Sequence, residues 1–103
     1  RVFGEGDTFV KIDGFTEDVM ALEPFADKWR AFGWEVIEVD GHDLDAMDDA
    51  LAKAWAAKGK PTLILANTIK GKGVDFMENN VVWHYASGDS ALCERAKASI
   101  LKG

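Results

Sequence analysis

The sequence predicts an α/β protein, in which a partial parallel β-sheet is covered by helices. Residues 34–39 are rich in β-branched and aromatic side chains, and residues 62–66 form an uninterrupted apolar run, so both segments are predicted strands. Each follows a segment with helical periodicity, and this alternation of helix and strand is typical of a parallel sheet. The second segment has the composition of a central strand that is buried on both faces.

The first fifteen residues predict no regular strand of useful length. Gly4, Gly6 and Asp7 are turn-forming residues between two short apolar segments, so we expect a short hairpin or an irregular loop. The Gly-Glu-Gly at positions 4–6 resembles the start of a dinucleotide-binding fingerprint. We reject dinucleotide binding because Phe9 stands where the third glycine belongs and no strand precedes the motif.

Apolar spacing predicts helices over residues 24–32, over residues 44–58 and from about residue 90 onward, with a brief helical turn over residues 17–21. Asp43 is the predicted N-cap of the second of these helices. We expect the apolar faces to be core or interface packing, and the thiol of Cys93 to be buried and unreactive. The residues of these faces are Phe25, Trp29 and Phe32 in the first helix, Met47, Leu51 and Trp55 in the second, and Leu92, Cys93, Ala96 and Ile100 in the third.

A loop over residues 69–87 follows the apolar run and has no sustained periodicity. Loops of this length are uncommon in compact domains without a functional reason. The loop starts after the carboxyl end of a predicted parallel strand, where ligands usually bind. Its lysines bring positive charge, and its glycines allow the backbone to approach a ligand closely. We interpret its first part as an anion-facing edge and call it the lysine-glycine bend, which consists of Ile69, Lys70, Gly71, Lys72 and Gly73.

Composition and charge exclude several classes of protein. The 103 residues fit one domain or part of one, and a hydrophobic content of 48% argues against disorder. Twelve basic against eighteen acidic residues, a formal net charge of -6, argue against nucleic-acid and anionic-membrane binding. No apolar run approaches the roughly 20 residues of a membrane span. The single cysteine, Cys93, cannot form an internal disulfide, which suits a reducing cytoplasm.

The predicted sheet is too small to complete a domain. Two strands leave their edges unpaired, although residues 62–66 have the composition of a central strand. We therefore expect partner strands from elsewhere, and residues 1–103 to form a single partial domain. The chain begins with Arg1 rather than methionine, which agrees with a piece of a longer protein.

Several short motifs occur in one order along the chain, from residue 11 to about residue 85. They include Ile12-Asp13-Gly14-Phe15, residues 22–34, Asp40-Gly41-His42-Asp43, Gly59-Lys60-Pro61-Thr62, Asn67-Thr68-Ile69-Lys70-Gly71-Lys72-Gly73, residues 76–79 and Trp83-His84. Together they resemble the thiamine-diphosphate-binding domain of the transketolase family, and in particular the N-terminal subunit of its split, two-chain form. The resemblance covers the C-terminal part of that domain.

The resemblance implies that the complete enzyme transfers two-carbon ketol units between sugar phosphates, with thiamine diphosphate and Mg²⁺ or Ca²⁺ as cofactors. The family's Gly-Asp-Gly motif, the Asn that follows it and the Glu that activates the cofactor are not in this sequence. We therefore assign no metal ligand here, and expect the chain alone to bind the cofactor weakly or not at all and to be inactive. Its expected partners are sugar phosphates, together with further copies of the chain or a missing complementary chain.

The resemblance also implies roles for particular residues. His84 matches the family histidine that lines the cofactor and substrate channel near the diphosphate, so we assign it the catalytic role. Tyr85 follows where the family often has glycine. The lysine-glycine bend is the predicted cofactor-binding segment, because Ile69 and Lys70 fall where the family's loop approaches the thiazolium and the diphosphate. The alternatives are a loop histidine packed beside Trp83 and a solvated basic loop.

Two further interpretations remain open. The chain could be a non-catalytic interaction module that self-associates through an exposed sheet edge, or a simple anion-binding domain that uses Lys70 and Lys72. His42 lies between Asp40 and Asp43, which could suggest a metal site. We favour a structural role, since one histidine is present and the carboxylates suit a turn and an N-cap.

Overall fold

The computed structural model describes residues 2–6, 10–11, 14–15, 18 and 21–103. From residue 25 onward, helices and strands alternate as predicted, and the fold is α/β. The strands are β1 (Val2–Gly6), β2 (Val10–Lys11), β3 (Gly14–Phe15), β4 (Glu35–Asp40) and β5 (Thr62–Thr68). The helices are α1 (Phe25–Ala31), α2 (Leu44–Ala56) and α3 (Ser90–Lys102), with a short 3-10 helix at Val81–His84. Most of the predicted turn over residues 17–21 lies outside the described residues.

β5 is the central strand of a parallel sheet whose order is β1-β5-β4. On one side, the register of β5 pairs Asn67 with Asp40 of β4; on the other, it pairs Thr68 with Gly6 of β1. The prediction of a central strand is therefore confirmed. Because the strands of this sheet run in the same direction, their carboxyl ends meet at one edge of the sheet.

The prediction for the first residues is wrong. Gly4 and Gly6 lie in β1, which pairs in parallel with β5, and not in a turn. Two of its five residues are glycines, which are depleted in strands, and its pairing with β5 decides its conformation instead. A small hairpin does occur further along, where β2 and β3 pair Val10 with Phe15 and Lys11 with Gly14.

The pairing of β1 also corrects the expectation of an exposed central edge. Both edges of β5 are hydrogen-bonded within this chain, to β1 and to β4. Within the described residues, the outer edges of the sheet belong to β1 and β4 instead. The interpretation of the chain as a module that self-associates through its central strand depended on an unpaired edge of that strand. The structure does not have this unpaired edge.

The core lies on both faces of β5. On one face, Ala26 of α1 packs with Val36, Leu63 and Leu65. Because side chains alternate along a strand, Ile64 and its neighbour Ala66 face the other side, where α2 contributes its buried Ala50. The small Ala26 and Ala50 side chains bring both helices close to the sheet.

Two predicted apolar faces are only partly buried. Trp29 packs edge-to-face against Phe25 and Trp34, with ring centroids 6.2 and 4.9 Å away, whereas Phe32 follows the helix as its C-cap and is 78% exposed. In α2, Trp55 is 93% exposed and Leu51 is also exposed, because the helix turns its alanines toward the sheet. Leu51 and Trp55 therefore do not belong to the core that the described residues form.

The last helix begins where it was predicted, but Cys93 does not lie as expected. Asp89 caps α3, and its Oδ1 accepts a hydrogen bond from the Leu92 N–H at 2.8 Å. The prediction of a buried thiol is wrong, since Cys93 is exposed. The face of α3 with Leu92 and Ala96 is half-buried, while Cys93 and Ile100 lie to its side.

Among the described residues, no helix combines the length and the apolar character needed to cross a membrane.

We expect Leu63→Ala to lower the free energy of unfolding by about 2–5 kcal/mol, because it opens a cavity at a side chain with 0% exposure. Leu101→Ala is the matched control, since Leu101 is 87% exposed and the same atoms are removed from water-facing surface. Its expected change is within about 0.5 kcal/mol. Urea denaturation of both variants measures the difference, and equal losses would contradict the assignment of β5 to the core.

Candidate functional site

The carboxyl ends of β4 and β5 open onto a cavity of about 320 Å³. The sheet register pairs Asp40 with Asn67 at this edge. The residues that line the cavity are Asp40, His42, Asn67, Ile69 and Lys72. The lysine-glycine bend therefore lies at the carboxyl edge of the sheet, where its sequence position predicted it.

The bend depends on two glycines for its course. Gly71 and Gly73 have φ angles of 75° and 97°, which side chains with a Cβ rarely adopt. A Cβ added at Gly71 would lie 2.6 Å from the carbonyl oxygen of Met77, so no larger residue fits there without movement. The loop closes on itself through the Asn79 N–H, which donates to the Lys70 carbonyl oxygen at 2.8 Å.

The turn after β4 holds the start of the bend. The Gly41 N–H donates to the Asn67 carbonyl oxygen at 2.8 Å, and the His42 N–H donates to Asp40 Oδ1 at 2.9 Å. The Ile69 N–H donates to His42 Nε2 at 2.7 Å. Asp43 is the N-cap of α2, as predicted, with Oδ1 accepting from the Ala46 N–H at 3.0 Å. The turn and N-cap roles of the carboxylates thus follow from these contacts.

Helix α3 holds the end of the bend. Ser99 Oγ accepts from the Asp75 N–H at 2.9 Å and donates to the Gly73 carbonyl oxygen at 3.2 Å. One turn away, the Arg95 guanidinium lies 4.5 Å from the centroid of the Phe76 ring. Sequence reasoning missed both contacts, because a serine and an arginine outside the apolar face of a helix carry no recognisable signal.

Several amides of the bend are already engaged within the chain. The Ile69 N–H donates to His42, the Lys72 N–H donates to the Ile69 carbonyl oxygen at 3.1 Å, and the Gly73 N–H donates to Glu78 Oε1 at 3.1 Å. A ligand at this edge would therefore contact the lysine side chains before these amides. Lys72 is exposed and lines the cavity, whereas Lys70 is half-buried.

His84 occupies a separate position at the end of the 3-10 helix. The helix is capped by Asn80, whose Oδ1 accepts from the Val82 N–H at 3.1 Å. The Trp83 ring packs edge-to-face against Phe76, with centroids 5.4 Å apart, while His84 is exposed. His84 does not line the cavity beside Ile69 and Lys72. The structure thus brings the bend together with Asp40 and His42, residues that sequence reasoning did not assign to the site.

The described residues contain no cluster of three or more histidine, cysteine, aspartate or glutamate side chains that could hold a metal ion. Asp40 and His42 share the cavity with Lys72, a cation, so this donor set does not suit a divalent metal.

Comparison with known proteins identifies what the chain resembles. Residues 6–99 match the family model described as transketolase, thiamine diphosphate binding domain. The chain is 44% identical over 93 residues to the 6-deoxy-6-sulfo-D-fructose transketolase subunit SqwG of Clostridium sp. (strain MSTE9), covering 90% of this chain and 34% of that protein. It is 40% identical over 87 residues to one subunit of the apulose-4-phosphate transketolase of Phocaeicola vulgatus, covering 84% of this chain and 31% of that protein.

A solved structure shows the same fold. The crystal structure of transketolase from Campylobacter jejuni superposes with a TM-score of 0.81 at 26% identity, covering 96% of this chain and 15% of that one. The chain spans about a third of the length of the two curated relatives, with shares of 34% and 31%.

We expect substitutions of three glycines in and beside this loop to differ in cost. In Gly71→Ala, the new Cβ is strained by a positive φ and also clashes with the Met77 backbone. In Gly73→Ala, the positive φ is the one source of strain, and in Gly88→Ala the new Cβ points into open space. A strained φ costs about 1–3 kcal/mol, so the loss of stability should be greatest at Gly71, smaller at Gly73 and smallest at Gly88. Urea denaturation gives this order, and a reversed order of Gly71 and Gly73 would contradict the geometry of the bend.

We expect Ser99→Ala to free the end of the bend from α3. Loss of two hydrogen bonds, each with a net contribution of about 0.5–1.5 kcal/mol, should speed hydrogen exchange at the Asp75 amide. Ser87→Ala, in an exposed part of the same loop, is the control and should leave that amide unchanged. Exchange at Asp75 that is equal in both variants would show that Ser99 does not hold the bend.

Proposed function

Since the chain belongs to the transketolase family and matches its thiamine diphosphate binding domain over residues 6–99, we propose that it supplies one wall of the cofactor site in a thiamine-diphosphate-dependent transferase. The observation that carries this proposal is the position of the lysine-glycine bend. It follows the buried central strand, lies at the carboxyl edge of the sheet and places Lys72 in the cavity there.

The chemistry of this edge fits the proposed cofactor. Ile69 offers an apolar surface for an aromatic ring, and Lys70 and Lys72 bring positive charge for a diphosphate. Gly71 and Gly73 allow the tight course of the bend that carries both lysines, of which Lys72 lines the cavity. When bound, thiamine diphosphate supplies the nucleophilic carbon of the reaction, and this chain's residues bind and orient it.

We assign no metal ligand to this chain. The family's Gly-Asp-Gly motif and the Asn that follows it are not in this sequence, so the Mg²⁺ or Ca²⁺ that accompanies the diphosphate is proposed to bind elsewhere in the complete enzyme. For the same reason the chain alone is expected to bind the cofactor weakly or not at all, and to be inactive.

His84 is proposed to face the substrate channel, by the match of Trp83-His84 to the family motif. Its exposed imidazole is free of the fold's core, and an imidazole can donate a hydrogen bond to an anionic group. The cavity at the bend does not include it, so its channel would be completed by parts of the enzyme outside the described residues.

The reaction proposed for the complete enzyme is transfer of a two-carbon ketol unit between sugar phosphates in the cytoplasm. The names of the two relatives above describe transketolase subunits for a sulfonated and for a phosphorylated sugar. Both relatives are subunits, which supports a complementary chain as the partner that completes this site. Further copies of the chain are the other proposed partner.

We expect Lys72→Ala to weaken thiamine diphosphate binding at least about fivefold, because it removes a charged contact with a net contribution of about 1 kcal/mol or more. Lys97→Ala makes the same change in charge on the outer face of α3, where Lys97 pairs with Glu94, and should leave the affinity within about twofold. Calorimetric titration of the intact protein, with Mg²⁺ and any complementary chain, measures both.

Equal affinities of the two variants would contradict the assignment of Lys72. Pyrophosphate in place of thiamine diphosphate gives a second comparison. If pyrophosphate binds as tightly as the complete cofactor, the edge recognises anions alone, and the interpretation as a simple anion-binding domain replaces the proposal.

A further inference from the structure

One contact at the edge has no part in the function described so far. His42 Nε2 accepts a hydrogen bond of 2.7 Å from the Ile69 N–H, across 27 residues of sequence. Ile69 is the first residue after β5 and the first of the lysine-glycine bend. The contact therefore joins the turn after β4 to the start of the proposed cofactor-binding segment.

We propose that His42 is a positioning residue for the cofactor edge: its neutral imidazole holds the Ile69 backbone, and protonation of the imidazole releases the bend. The consequence for cofactor binding rests on the proposed function. The contact itself, and its dependence on protonation, do not.

The protonation state follows from which atom accepts. A neutral imidazole carries a proton on one nitrogen and a lone pair on the other, so acceptance at Nε2 places the proton on Nδ1. The imidazolium carries protons on both nitrogens, so its Nε2–H would face the Ile69 N–H and could not accept a hydrogen bond from it. The hydrogen bond is therefore present at higher pH and lost as the pH falls. Measurements at about pH 5 and about pH 8 span the range over which histidine side chains in general change charge.

The fold presents the imidazole to β5 through a close backbone approach. A Cβ at Gly41 would lie 2.5 Å from Thr68 Cγ2 and 3.2 Å from the Asn67 carbonyl oxygen, so only glycine lets the turn lie against β5 at this distance. The Gly41 N–H then bonds the Asn67 carbonyl oxygen at 2.8 Å. These contacts hold the backbone next to His42 beside the end of β5.

Loss of the hydrogen bond between Ile69 and His42 would also affect Lys72, a charged residue of the bend. The Lys72 N–H donates to the Ile69 carbonyl oxygen at 3.1 Å, so the two residues form one turn. The charged groups that share the cavity with His42 are Asp40, which accepts its N–H, and Lys72. Asp43 is also adjacent but its carboxylate caps α2. Movement of Ile69 would thus move the lysine that is proposed to contact the diphosphate.

The test compares wild type, His42→Gln and His42→Phe in the intact protein, by hydrogen exchange at about pH 5 and about pH 8. A Gln side chain can accept near the position of Nε2 but does not titrate, and Phe keeps the ring without an acceptor. Each rate is expressed as a protection factor, which removes the intrinsic dependence of exchange on pH. The Gly41 amide is the internal control, since its bond to Asn67 involves backbone atoms alone.

We expect protection of the Ile69 amide in wild type to fall about 2- to 10-fold at the lower pH, as for the loss of one hydrogen bond. His42→Gln should be equally protected at both pH values, and His42→Phe should be poorly protected at both. The proposal is overturned if wild-type protection does not depend on pH, or if His42→Gln keeps the wild-type dependence. Should His42→Phe not fold, the wild-type and Gln results still decide.

The cofactor provides a separate readout. In the reconstituted enzyme, the KM for thiamine diphosphate should rise at acid pH in wild type more than in His42→Gln. Failure of every variant to bind the cofactor would contradict the proposed function and leave the exchange result at Ile69 standing. Cofactor binding together with pH-independent exchange would contradict the role of His42 alone.

Discussion

The pairing of β5 on both sides is the constraint on which the rest of the structure depends. Five of its seven residues, Thr62–Ala66, are buried. Only a strand with hydrogen-bonded neighbours on both edges and helices on both faces can bury so many consecutive backbone groups. α1 and α2 supply those covers, and β1 and β4 supply the hydrogen bonds. The position of β5 in the sheet sets where its carboxyl end lies, and therefore where the lysine-glycine bend begins.

The candidate site is built at that end from segments that are distant in sequence. The turn after β4 holds the start of the bend, α3 holds its end, and the loop closes on itself between them. Each support is one or two hydrogen bonds to exposed or half-buried groups, and each of these contributes little compared with the core. The bend is therefore held by fewer and weaker contacts than the sheet beneath it.

The bend is positively charged, whereas the chain as a whole is negatively charged. In a protein with eighteen acidic and twelve basic residues, a site for a diphosphate needs local cations rather than a basic surface. The positive φ angles at Gly71 and Gly73 allow Lys70 and Lys72 to lie in one short turn. The two positive charges of the bend are therefore close together in the chain. The exposed Leu51 and Trp55 of α2 lie on another part of the molecule, and the described residues do not cover them.

The sequence by itself determined the alternation of helix and strand, the burial of β5, the cap at Asp43, the start of the last helix near residue 90, and the place of the bend after the central strand. These are local properties, because periodicity, capping and turn chemistry act within a few residues. Only the tertiary structure decided that residues 2–6 form a strand, that Cys93 is exposed, and that His42 and Ser99 hold the bend. The physical reason is that pairing and side-chain hydrogen bonds join groups far apart in sequence, and a lone glycine, histidine or serine carries no local mark of the partner it will meet.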